Sequence, residues 1–339
     1  MRTGDTITST HPRGAPERGA QPGGMPGQGA QPRGAPAQGA RPEGRPEPGP
    51  VAGRHPSVAD GSTFAPGLAL LPVKIRADVE CLYRVLRTLD DLVDEDDPRA
   101  TRRVRAVERW ARAGQMHSAR SEPRTPQTPE TRALERLARS HLLPRHALLQ
   151  FCAGMRHDIA RAHIDGEEDF TRYCQQVGGA VGIVLARLLG GVEDDAQTVG
   201  RLETSMATLG RAMQVTNIAR DIDEDLSHGR LYIPRSLIER FGPPTPGARE
   251  PLVRELIARA DQLYEQGLSA IPLLREGGRA MALSAALYRE ILRQLEREGF
   301  GRRAGRAVVP AWRRRALIAQ YGSSARDFGL GRESGGWRG

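Results

Sequence analysis

Lysine is almost absent from this chain: Lys74 is the only one among 50 basic side chains, so the net charge of +9 is carried by arginine. Aromatic residues are scarce as well, at 4%. A basic protein that binds nucleic acid presents stacking rings within a positive surface, or a recognisable zinc motif. Neither is present, the arginine bias reads as a GC-rich coding sequence, and nucleic acid is not an expected partner. Cysteine is limited to Cys81, Cys152 and Cys174, too few and too scattered for a disulfide framework or a zinc site. That usage predicts a reduced, cytoplasmic protein. There is no run of about 18 apolar residues, and no apolar stretch follows Arg2. Neither a membrane-spanning helix nor a secretory signal is expected.

What is present is unevenly spread. Residues 1–60 hold 12 of the 39 glycines and 11 of the 25 prolines, without one Phe, Tyr or Trp. Gly19-Ala20-Gln21-Pro22 recurs as Gly29-Ala30-Gln31-Pro32 and Gly39-Ala40-Arg41-Pro42. Such a segment buries too little apolar surface to offset its ordering entropy. Residues 1–58 therefore read as a disordered low-complexity tail, 59–322 as one all-α domain, and 323–339 as a flexible C-terminal tail.

The all-α reading rests on periodicity. Ile75, Val79, Leu82, Leu86, Leu89 and Val93 step by three and four, one face of a helix. Further helices are expected over 101–113, 130–141, 145–164, 168–190, 197–226, 250–272, 278–298 and 306–320. Ser121–Pro129, Gly190-Gly191 and Pro243–Gly247 supply the breaks. No alternating strand pattern of useful length occurs.

The chemistry-bearing residues lie on two of these helices. Asp90 and Asp94 stand at i and i+4, with Arg87 one turn earlier. Alone, such an acidic helix end reads equally well as a solvated face. A second pair, Asp221 and Asp225, changes the reading: with Gln214 and Asn217 it forms a polar stripe, beside an apolar one of Leu202, Met206, Leu209 and Met213. Two facing carboxylate pairs suit a hard divalent cation, Mg²⁺ or Mn²⁺, which takes one or two carboxylates, waters and a substrate phosphate. Arg87, Arg220 and Arg230 could grip a diphosphate. An apolar helical cavity would accept a prenyl chain and keep water from a carbocation.

At these residues the sequence resembles the squalene/phytoene synthase family. Four segments over about residues 60–320 carry the likeness: Ser62 through Pro72, Leu82-Tyr83 through Glu95, Tyr173-Cys174-Gln175-Gln176-Val177-Gly178-Gly179-Ala180-Val181-Gly182, and Gln214 through Asp225 into Gly229-Arg230-Leu231-Tyr232-Ile233-Pro234. A weaker match surrounds Tyr288. The resemblance implies an isoprenoid-synthase-type helical bundle that joins two prenyl diphosphates head to head through a cyclopropylcarbinyl diphosphate, giving a squalene, dehydrosqualene or phytoene type product. It implies that Asp90, Asp94, Asp221 and Asp225 hold Mg²⁺–diphosphate, with Asn217 completing a second metal cluster. Arg87, Arg220 and Arg230 would then bind phosphate, Tyr173 would be the catalytic phenol, and Phe64 and Tyr83 would line the cavity with Gln214 and Tyr288. Read from its residue type alone, Tyr173 suits a core aromatic as well. Gly178, Gly179 and Gly182 read as close helix packing or a helix break, because no strand precedes them as a nucleotide-binding loop requires.

Departures from the family pattern fall at Asp60, Ala65 and Glu80, on the side of the second diphosphate. They leave an alternative: a diverged enzyme that ionises one prenyl diphosphate and either prenylates another acceptor, such as an aromatic, or cyclises the chain. A non-catalytic assembly factor on the same fold has no need of all four carboxylates. No nicotinamide site is recognisable, so NADPH use stays open, as do prenyl chain length and oligomeric state. Arg302, Arg303, Arg306, Arg313, Arg314 and Arg315, around Val308, Val309 and Trp312, read as a solvated helix, as phosphate binding by Arg306, or as a peripheral membrane contact.

Overall fold

Apolar residues at steps of three and four, punctuated by proline and glycine, fold into helices joined by short turns. The computed structural model describes residues 63–113 and 127–323. The expected tail over 1–58, and the C-terminal tail beyond Ser323, lie outside the described residues. The helices are α1 (Ala65–Ala69), α2 (Val73–Asp94), α3 (Ala100–Ala113), α4 (Pro129–Ala138), α5 (Arg145–Ile159) and α6 (Glu167–Cys174). A π-helical turn, Gln175–Gly179, leads into α7 (Ala180–Leu189), followed by α8 (Ala196–Arg220), α9 (Ile222–Ser227), α10 (Arg235–Phe241) and α11 (Glu250–Gly267). After a 3₁₀ turn at Leu268–Leu273 come α12 (Gly278–Arg297) and α13 (Ala311–Ser323). Among the described residues there is no strand, only an isolated bridge between Gly191 and Leu274.

The α2 stripe from Ile75 to Val93 is buried along its whole length, as its spacing predicts. Helix α8 runs through the middle of the core, burying Leu202, Met206, Leu209, Ala212, Val215 and Ile218 against α7, α11 and α12. Its start is set by Asp195, whose Oδ1 accepts from the Gln197 and Thr198 amides at 2.9 Å. A buried hydroxyl pair, Thr216 and Tyr264 at 3.0 Å, ties α8 to α11.

Three expected helices differ. The 168–190 stretch is interrupted by the π-helical turn, where Gly178 backs onto Gly210 of α8. The 197–226 stretch breaks at Asp221, with φ −102° and ψ 15°. The Asp225 amide still donates to the Asp221 carbonyl at 2.8 Å, so the i, i+4 relation survives the break. The last helix starts only after Pro310, which cannot lie within a helix interior.

Candidate active site

Helix α2 carries Tyr83, Arg87, Asp90 and Asp94 to one wall of a cavity of about 340 Å³. The end of α8, with α9 beyond it, brings Gln214, Asn217, Arg220, Asp221 and Asp225 to the facing wall. Tyr173, Arg230 and Tyr288 line the same space, so every site residue expected from sequence except Phe64 converges there. Phe64 lies next door. It stacks on Tyr83 with ring centroids 6.0 Å apart and lines an apolar cavity of about 160 Å³. That cavity adjoins the first through Tyr83, Val177, Val181, Gln214, Asn217 and Tyr288. Met206, Leu209 and Met213, the apolar stripe of α8, line it as well. A charged mouth thus opens into an apolar recess.

The mouth carries more negative charge than positive. Six carboxyls line it (Asp90, Asp94, Asp158, Asp221, Glu224, Asp225) against four guanidinium groups (Arg87, Arg220, Arg230, Arg306). Arg87 contacts Asp90 at 3.2 Å and Asp91 at 2.8 Å. Arg220 grips Asp221 through Nε and Nη2 at 2.7 and 2.5 Å. Arg306 reaches Asp221 at 3.0 Å and Glu224 at 3.4 Å. Arg230, itself buried, pairs with Asp94 and donates to the Val93 carbonyl at 2.7 Å. The surplus carboxyls hold their protons tightly. Burial, then the neighbouring Asp94, raises Asp90; burial, then Asp221, pushes Asp225 up to about 8.

These features fit a divalent cation. The Asn217 Oδ1 is buried with no hydrogen-bond partner, an oxygen left without a donor beside the crowded carboxylates. Among the described residues no three His, Cys, Asp or Glu side chains converge tightly enough to cage an ion by themselves. Magnesium tolerates that, since it retains waters and completes its shell from substrate phosphate.

Several cavity residues had no role in the sequence reading: Asp158, Glu224, His228 and Tyr232. Asp158 had a detectable signal, because it falls one turn after Met155 on the face of α5 that buries Leu148, Phe151 and Cys152. Of the readings offered for the C-terminal arginines, a place for Arg306 at the site agrees with the structure, where it lines the mouth. Arg313 turns to Glu290 at 3.4 Å and lies 4.6 Å over the Trp312 ring. That leaves Arg302, Arg303, Val308, Trp312, Arg314 and Arg315 as the exposed remainder of the set, and their contact with a membrane surface stays a proposal. No helix among the described residues is long and apolar enough to cross a membrane. Cys81, Cys152 and Cys174 are free thiols. The substitutions at Asp60 and its neighbours up to Ser62 lie outside the described residues.

Known proteins are similar to this chain. A family model described as Squalene/phytoene synthase matches residues 58–313. The phytoene synthase of Thermus thermophilus is 33% identical over 278 residues, spanning 79% of this chain and 90% of its own. The presqualene diphosphate synthase of Sinorhizobium fredii is 30% identical over 285 residues, spanning 79% and 95%. Among solved structures, a dehydrosqualene synthase in complex with ligand superposes with a TM-score of 0.66 at 27% identity, covering 78% of this chain and 92% of that one.

Proposed function

Because this chain belongs to the squalene/phytoene synthase family, a prenyl-transferring family, we propose that it condenses two prenyl diphosphates head to head with a divalent metal, through a cyclopropylcarbinyl diphosphate. The supporting observation is the pair of facing carboxylate sets, on α2 and at the α8–α9 junction, at the mouth of an apolar recess. Asp90, Asp94, Asn217, Asp221 and Asp225 would hold magnesium, whose charge offsets that of the departing diphosphate. Arg87, Arg220, Arg230 and Arg306 supply planar donors for phosphate oxygens. Phe64, Tyr83, Tyr288 and the methionines of α8 bury the chain and exclude water from its cationic carbon. Tyr173, which lines the same cavity, would present its hydroxyl to the reacting carbons.

Incubation with C10, C15 and C20 diphosphates plus Mg²⁺, read by mass spectrometry, should show a product of doubled carbon number. Release of diphosphate with only single-chain alcohols or cyclised hydrocarbons would replace this reading with the one-substrate alternative.

Arg230 offers a finer test. Two of its nitrogens already serve Asp94 and the Val93 carbonyl, and its Nε is buried without a partner. A lysine keeps the charge but cannot span these positions. Arg230→Lys is expected to lower kcat/KM by about tenfold, near 1.4 kcal/mol. Equal kinetics in the two proteins would show that only the charge matters.

A further inference from the structure

Two carboxylates of the cavity, Asp158 and Glu224, have no place among the metal ligands, and Glu224 pairs with Arg306. Asp158 ends the buried face of α5 and is only 6% exposed. Its Oδ2 accepts a hydrogen bond from the Tyr173 hydroxyl at 3.3 Å. The Tyr232 hydroxyl also acts on the carboxyl by hydrogen bonding. The Oδ1 atom is buried with no partner. Tyr173 is held in place: Tyr232 stacks on it at 4.9 Å and 16°, and His157 packs against it at 5.1 Å. Among the described residues no ion pair neutralises Asp158; of the nearby charges, Asp90 and Arg230 act on it in opposite senses.

A buried acid without a cation is expensive in stability, so its place beside the phenol read above as catalytic calls for a chemical reason. Burial holds the Tyr173 hydroxyl well above its ordinary range, and phenolate is therefore not available as a base. A neutral phenol can take a proton only if it passes its own on at once. The partnerless Oδ1 keeps the neighbouring carboxylate basic, since each missing donor removes stabilisation of the charged form. Burial, which outweighs the hydrogen bonds from Tyr173 and Tyr232, pushes the Asp158 carboxyl up to about 7.

We propose that Asp158 is the terminal acceptor of a proton relay through Tyr173, used when the three-membered ring of the head-to-head intermediate closes. The proposal rests on the condensation described above. In that step the C–H bond on the carbon linking the two chains breaks, and its electron pair closes the ring. The proton goes to the Tyr173 oxygen while the Tyr173 hydroxyl proton moves to Asp158 Oδ2. The phenol is regenerated, the carboxylate becomes an acid, and nothing is oxidised or reduced. Asp158 acts through Tyr173 and is a positioning and proton-holding residue.

Asp158→Asn keeps the size and the hydrogen-bond acceptor but cannot take a proton. Coupled product and released diphosphate are measured separately, with Mg²⁺ and the prenyl diphosphate on which the wild type is most active. Diphosphate release should change by no more than about threefold, while coupled product per diphosphate released falls about tenfold or more, within the range for loss of a general base. Coupled product is the ring-derived product. The balance should appear as alcohols, formed when water captures the linked cation that keeps its proton or the single-chain cation to which it reverts. Asp158→Glu should recover part of the coupling, and the solvent deuterium isotope effect on coupling seen in the wild type should change in Asp158→Asn. Should that variant fail to fold, Tyr173→Phe must show the same partition. An unchanged product-to-diphosphate ratio would overturn the relay, as would loss of both products in equal proportion. A wild type that couples no chains at all would remove the condensation reading and the relay with it, a result distinct from the first two.

Discussion

Asp90→Asn and Asp221→Asn should each cut diphosphate release by about a hundredfold or more, since a neutral amide cannot replace a charged oxygen on a cation that also carries diphosphate. The two variants should nevertheless differ in stability. Burial, then the neighbouring Asp94, raises the pKa of Asp90 above the unfolded value of 3.8. The folded protein therefore binds that proton more tightly than the unfolded chain, and metal-free stability falls as pH rises between the two values. Asp225, raised to about 8, acts in the same sense. Metal-free wild type should lose Tm between pH 5 and pH 8, regain it on addition of Mg²⁺, and lose less in Asp90→Asn. Asp221 is different because Arg220 and Arg306 both lean on it. Its replacement leaves two guanidinium groups uncompensated, so Asp221→Asn should lower Tm. Turnover at the wild-type rate under limiting Mg²⁺ in either variant would remove these residues from the metal site.

The contrast between these two aspartates shows what was legible in the sequence. Helical periodicity exposed the buried face of α2 from Ile75 to Val93, and with it the side on which Asp90 and Asp94 project. The stripe from Gln214 to Asp225 was equally plain, and its four members line one cavity although the backbone breaks at Asp221. Residues that arrive from loops and distant helices are not legible from periodicity: Tyr173 and Tyr288 came only from the resemblance, and Asp158 from neither. Arg306 reaches Asp221 from a Gly-rich connection between α12 and α13, where no periodicity tells which arginine turns inward. Asp158 was hidden for another reason: a single acid at the end of an apolar face is ambiguous until Tyr173 is seen bonded to it. Helix α10 went unanticipated because seven residues between Pro234 and Gly242 give too short a period to detect.

The glycines after Tyr173 carry the second large effect, and they act through packing. A Cβ on Gly182 would fall well inside van der Waals contact of the Met206 carbonyl oxygen, and one on Gly210 would meet the Gly178 carbonyl in the same way. Both obstacles are backbone, so relief requires α7 or the π-helical turn to move away from α8. Overpacking of this kind costs about 1–3 kcal/mol and occasionally more, which exceeds the roughly 1 kcal/mol of helix propensity gained from Gly to Ala. Gly182→Ala and Gly210→Ala should each lower Tm by several degrees, at about 2–4 °C per kcal/mol for a domain of this size. Because α8 carries Gln214, Asn217 and Asp221, displacing it should also widen the mouth and lower kcat. Gly200 lies on the same helix, and a Cβ there meets nothing within 4 Å. Gly200→Ala should therefore raise Tm slightly and leave kcat unchanged. If all three alanine variants melted alike, close approach of α8 to α7 and the π-helical turn would not be what these glycines provide.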